Sequence, residues 1–165
     1  MSNLDYLGTS APSMVLYLPH RPNGLDRLVR TPDARLLMDG NSNHWRKIVT
    51  LLAKVACPDE DWRGFRDEAL FQHTALCFAP RLIDGATWHW IGGKENLLRF
   101  GLEVSNAEAL PDAPDVAIDI ENRILLTPYP DYRQLSNATV SQIRTALTAA
   151  GFFTADLGAT FSSSP

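Results

Sequence analysis

Three short apolar runs constrain this chain most: MVLYL at 14–18, WHWI at 88–91 and ILL at 124–126. Each is short, apolar and closed by Pro, Gly or polar residues, so each reads as a strand. MVLYL is apolar at every position, which suits a strand covered on both faces of a sheet. The stretches between the runs carry apolar residues at helical spacing. The order is therefore strand, helices, strand, helix, strand, helix. That order predicts an α/β domain, a three-layer sandwich around a central, mostly parallel sheet of about four strands.

The helical stretches differ in clarity. In NSNHWRKIVTLLAKVACP, Trp45, Ile48, Leu52 and Val55 recur at helical spacing; Asn41, Ser42 or Asn43 can cap the start, and Pro58 follows the end. Residues 59–78 predict a second helical region with Trp62, Phe65 and Ala69 on one face, broken by Pro80. A short helix is expected near 34–38. GGK leads WHWI into ENLLRF, a helix closed by Gly101. Residues 103–115 read as a loop. VAIDIENRILL is either two strands around a turn at Glu121 and Asn122, or one interrupted strand. Val140, Ile143 and Leu147 mark a last helix that ends at Gly151. Residues 1–13 read as an N-terminal arm, 14–153 as a single domain and 154–165 as a flexible tail.

Composition narrows the classes. A chain of 165 residues suits one domain and needs no disulfide or metal to fold. The net charge of −4 does not indicate a strongly basic nucleic-acid binder, although total charge leaves a local basic face open. Cys57 and Cys77 form no CxxC pair and read as buried free thiols of a reducing compartment. The start, MSNLDYLGTSAPS, has no basic, then apolar, signal pattern, and no apolar run approaches a membrane span. A soluble, cytoplasmic protein without a membrane partner is expected.

In parallel α/β sheets, ligands bind beyond the carboxyl ends of the strands. LPHRPN, IGGKEN and TPYPDYRQ fall at that edge. In GGKEN, backbone N–H groups and Lys94 can hold an anion; the plain alternative is a tight turn that packs the helix on the sheet. It is no phosphate-binding P-loop, because Trp88 replaces the first glycine and Glu95 the Ser or Thr, and GxGxxG is absent. His73 and Cys77 stand four apart, but no further ligands accompany them, so no metal is expected. No GxSxG elbow appears. TPYPDYRQ carries more. Its prolines pre-organise Tyr129, Asp131 and Arg133 can pair or cap the next helix, and Tyr132 and Gln134 can stack on and hydrogen-bond a planar ligand. Its plain alternative is a rigid turn with internal hydrogen bonds.

Four segments taken in order, MVLYLPHRPN, NSNHWRKI, WHWIGGKENLLRFG and ILLTPYPDYRQLSN, resemble the uracil-DNA glycosylase superfamily, especially its small members. There a first strand ends in a loop bearing a water-activating Asn or Asp, and an N-R-F-W segment opens a helix. A central strand runs into G-K-x-A, and a last strand ends in H-P-S-P or H-P-S-x-R-Q. The resemblance spans residues 14 to 150 and suggests a small bacterial family of unknown function within or beside that superfamily.

The resemblance implies a uracil-DNA glycosylase-like fold and, if active, a hydrolase of N-glycosidic bonds. The departures fall on the chemistry. Tyr129 stands where the His that stabilises the departing base would be, and Asp131 where the Ser would be. His20 and Asn23 are the nearest polar residues to the water-activating position. The leading expectation is a divergent member with degenerate catalytic motifs that binds a nucleobase or nucleic acid. Its site would comprise Pro19, Asn41, Asn43, Trp45, Gly93, Lys94, Asp131, Tyr132, Arg133 and Gln134. A first alternative is an active glycosylase in which Tyr129 holds the leaving base and His20 or Asn23 positions water. A second is an interaction module without ligand, which predicts a large exposed apolar patch. The expected partner is DNA or a nucleobase-like small molecule, and no cofactor is expected.

Overall fold

The computed structural model describes residues 4–153. The tail expected at 154–165 and the first three residues of the arm lie outside the described residues. The elements run β1 (Tyr6–Gly8), β2 (Met14–Tyr17), α1 (Leu25–Arg30), α2 (Ala34–Asp39), α3 (Asn43–Ala56), α4 (Trp62–Glu68), α5 (Leu70–His73), β3 (Thr74–Cys77), β4 (Trp88–Gly92), α6 (Lys94–Phe100), β5 (Glu108–Leu110), β6 (Ala113–Asp119), β7 (Ile124–Thr127) and α7 (Asn137–Ala149).

The strands form one seven-stranded mixed sheet in the order β1-β3-β2-β4-β7-β6-β5. This corrects the expected sheet of about four mostly parallel strands. Four neighbours, β3, β2, β4 and β7, do run parallel. Antiparallel strands extend both edges: β1 on β3, and β6 with β5 beyond β7. The N-terminal arm is also corrected from residue 6 onward, since Tyr6, Leu7 and Gly8 pair with Cys77, Leu76 and Ala75. Gly8 suits this place because a Cβ there would stand 2.5 Å from the Thr74 carbonyl oxygen.

Two further expectations change. The helical region of 59–78 ends at His73, and Thr74–Cys77 is a fully buried strand beside β2. A short apolar run carries the same pattern in a buried helix and a buried strand, so periodicity cannot separate them. The loop of 103–115 contains β5 and the start of β6. The alternative left open at 116–126 resolves as a hairpin. Buried Asp119 accepts the backbone N–H and side-chain amide of Asn122, at 3.0 and 2.8 Å, and Arg123 takes a positive φ of 58°.

Alternation along the strands separates two cores. Met14, Leu16, Leu76, Trp88, Trp90 and Leu125 face the larger core with α1, α2, α3 and α7. Val15, Tyr17, Ala75, Cys77, Ile91 and Ile124 face the other, covered by Leu97 and Phe100 of α6 and by Leu82 and Ile83. The period-2 geometry of strands sends neighbouring side chains to opposite faces, so β2 is buried at all four positions. On the larger side α3 turns Trp45, Ile48, Leu52 and Val55 inward, as its spacing predicts.

Candidate functional site

The parallel register brings three strand ends together. Tyr17 lies beside Ile91, and Gly92 beside Thr127. The segments after β2, β4 and β7 therefore emerge side by side at the carboxyl edge, where such sheets place their sites. A cleft of about 850 Å³ opens there, lined by Pro19, Ile91 to Leu97, Pro114, Asp115, Leu126 to Tyr129 and Gln134.

Close packing builds its floor. A Cβ on Gly92 would stand 2.7 Å from Cδ of Pro130, so only glycine lets the 128–130 turn lie against β4. Gly93 has a φ of 95°, the region that favours glycine. Its N–H donates to the Thr127 carbonyl at 2.9 Å, so it serves the sheet and is not free for an anion. Asn96 is 3% exposed; its amide donates to the Tyr17 carbonyl and its carbonyl accepts Arg99, which ties α6 to the end of β2. Trp90 donates its indole N–H to Thr127 Oγ1 at 2.8 Å beneath the cleft.

Tyr129 forms one wall of this cleft, and its hydroxyl points to two histidines. Nε2 of His20 and Nε2 of His44 each lie 2.9 Å from the Tyr129 oxygen. The rings of Tyr129 and His44 are parallel within 3°, and the two imidazole centroids are 5.7 Å apart. The edge of buried Trp45 packs on His20 with centroids 5.1 Å apart. Tyr129 has one hydroxyl proton, so it donates to one imidazole and accepts from the other while both are neutral. Burial pushes the Tyr129 hydroxyl up to about 12, with Asp131 adding to the shift. Burial, then the neighbouring His44, holds His20 below its ordinary value.

Other expected site residues fall into three groups. Pro19, Gly93, Lys94 and Gln134 line the cleft with Tyr129. Asn41, Trp45 and Asp131 are scaffold. Asn41 accepts the Asn23 N–H at 2.7 Å and donates to the Asn23 and Leu37 carbonyls. Asp131 accepts the Arg133 N–H at 2.9 Å, which holds its carboxyl below the usual range, while its carbonyl accepts Gln134 and Leu135. The turn thus keeps its own internal hydrogen bonds. Asn23, Asn43, Tyr132 and Arg133 lie outside the cleft lining; all four are exposed, and the Arg133 side chain is 91% so.

The sequence places the stretch 41–45, and so His44, at this edge but gives His44 no role of its own, although it opens a helix whose start meets Tyr129. It also passes over a cationic strip. The Lys47 and Lys54 ammonium groups lie 5.7 and 5.6 Å from the Tyr132 ring centroid, and Lys54 and Arg63 stand 4.8 and 4.7 Å from that of Trp62. These contacts bind cations to aromatic faces. His73 and Cys77 are not partners: His73 is exposed at the end of α5 and packs on Phe65, whereas Cys77 is buried in β3. Among the described residues no group of three His, Cys, Asp or Glu side chains converges on a metal position. No described helix is long and apolar enough to cross a membrane.

No curated protein and no solved structure matches the chain. The profile of DUF6942, a family of unknown function, matches residues 5–148, nearly the whole described domain, and the chain belongs to that family.

Proposed function

We propose that the protein binds a nucleobase in the carboxyl-edge cleft and a nucleic-acid strand along α3, as a divergent, glycosylase-like protein. The observation that carries the reading is the run His44, Lys47 and Lys54 on α3, which starts at the cleft wall. Tyr132 lies against both ammonium groups, and Trp62 continues the run beyond Lys54. A cationic track with interleaved aromatic rings suits single-stranded nucleic acid, since it meets phosphates and stacks bases without reading sequence. Among the described residues none of Lys47, Lys54 and Arg63 forms an ion pair within 4.0 Å, although the chain is net acidic; Lys47 stands near enough to Asp131 to help lower its carboxyl, and Lys54 donates to Asn137 Oδ1 at 3.1 Å. The cleft volume lies in the range that receives small molecules.

The test is fluorescence anisotropy of labelled DNA at low salt, with a single strand, an intact duplex and a duplex carrying one abasic site. The expected result is binding to the single strand or the abasic duplex that weakens as salt rises. Lys47→Glu with Lys54→Glu is expected to abolish it. Absence of binding to all three probes refutes the reading.

A second reading, an active glycosylase, draws on the Tyr129–His20 contact, which sets a hydroxyl beside a base at the cleft wall. It predicts that Tyr129→Phe stops base release; unchanged release in that variant removes the role. For the interaction-module reading, the large exposed apolar residues among the described ones are Leu4, Leu98, Ile120 and Tyr132.

A further inference from the structure

We propose that His20, His44 and Tyr129 form a binding site for a late first-row divalent cation, held by two imidazole nitrogens and one phenolate oxygen. The proposal does not rest on the cleft's ligand. Among the described residues, the only hydrogen bonds of either imidazole go to the Tyr129 hydroxyl, so all three donor atoms meet at that oxygen with no other hydrogen-bond partner for either Nε2. The three donors come from the end of β2, the first turn of α3 and the end of β7. They are far apart in sequence, and the sheet register sets their spacing.

Two donors each about 2.05 Å from a metal, at 90° to one another, are about 2.9 Å apart. Tetrahedral ligands would be about 3.3 Å apart at the same bond length. The observed N···O separations of 2.9 Å are ordinary hydrogen-bond lengths, and because cis ligands of a tetragonal or octahedral centre stand equally far apart, the three donors need little movement to take up a metal. Imidazole and phenolate donors suit the late first-row ions, and Cu(II) binds most tightly to a given N/O set. Binding replaces both Tyr129 hydrogen bonds with metal bonds. The phenol proton leaves to solvent, and the imidazole that donated at Nε2 moves its proton to Nδ1. Both rings are only half-buried, which leaves water access for that nitrogen and for the remaining coordination positions.

Cu(II) added to the metal-stripped full chain tests this. The expected result is one equivalent bound with a phenolate-to-copper charge-transfer band in the visible, absent from Tyr129→Phe. His44→Asn is expected to weaken binding by about tenfold or more. The band is read in the natural chain, so the outcome does not depend on a variant folding. Saturation without the band overturns the proposal, as does a band that survives in Tyr129→Phe. Copper held equally by the natural chain and by both variants marks adventitious binding, for instance at exposed His73, and overturns it too.

Discussion

Nε2 of His44 lies 2.9 Å from the hydroxyl oxygen of Tyr129, across 85 residues of sequence. His44 opens α3, and Tyr129 sits between two prolines at the end of β7. The two rings are parallel within 3°. This contact joins the helix that carries the cationic strip to the wall of the cleft, so the two halves of the proposed ligand surface share one hinge point.

Replacing Tyr129 by Phe removes the hydroxyl and leaves the ring. Both histidines lose their hydrogen-bond partner, at a cost of about 1–2 kcal/mol of stability. The imidazole NMR signals of His20 and His44 are expected to shift, while those of His89, which bonds Tyr17 instead, stay in place. Unmoved His44 signals would contradict the observed geometry.

Gly92 allows the 128–130 turn to rest on β4. Gly92→Ala drives a Cβ into the rigid Pro130 ring, and overpacking of this kind costs about 1–3 kcal/mol. Urea denaturation is expected to show a lower midpoint. Ligand binding in the cleft should fall in the same variant, because Tyr129 moves with the turn. A variant with the natural midpoint would mean the turn yields freely.

Arg144 of α7 closes the end of α3. Its guanidinium donates to the carbonyls of Lys54, Val55 and Cys57 at 2.8, 3.2 and 2.8 Å, groups that the helix itself leaves unpaired. Arg144→Met keeps much of the apolar stem and removes the donors. The expected loss is about 1–3 kcal/mol by urea denaturation with an unchanged slope. A loss below about 0.5 kcal/mol would assign the cap to water.

Stability should fall on both sides of neutrality because of one buried pair. Tyr17 accepts the Ile83 N–H at 2.9 Å and lies 2.7 Å from Nδ1 of His89. Burial lowers the His89 value from 6.5 and raises the Tyr17 value from 10.0. As pH drops below the ordinary histidine value, the unfolded chain takes up a proton that native His89 resists, so stability is lost. As pH climbs past the ordinary tyrosine value, the unfolded chain releases a proton that native Tyr17 keeps, and stability is lost again. Urea midpoints across pH should show both limbs, with the acid limb shallower in His89→Gln. An acid limb of the same depth in that variant would place its origin elsewhere.

What the sequence determined by itself is local. MVLYL and WHWI, short and closed by Pro or Gly, read as strands, Trp45 to Val55 as an inward helix face, and Gly101 and Gly151 are the helix-ending glycines with positive φ, at 64° and 91°. The placement of Tyr129 at a strand's carboxyl end followed from the same patterns. The tertiary structure decided the rest. Thr74–Cys77 is a strand because β2 and β1 pair with it, which no window of its own residues reveals. The short β5 forms by pairing with β6, and the arm becomes β1 by pairing with β3. His44 joins Tyr129 because the start of α3 meets the carboxyl edge. Periodicity reports what a segment buries, whereas a site depends on which distant segments arrive at the same place.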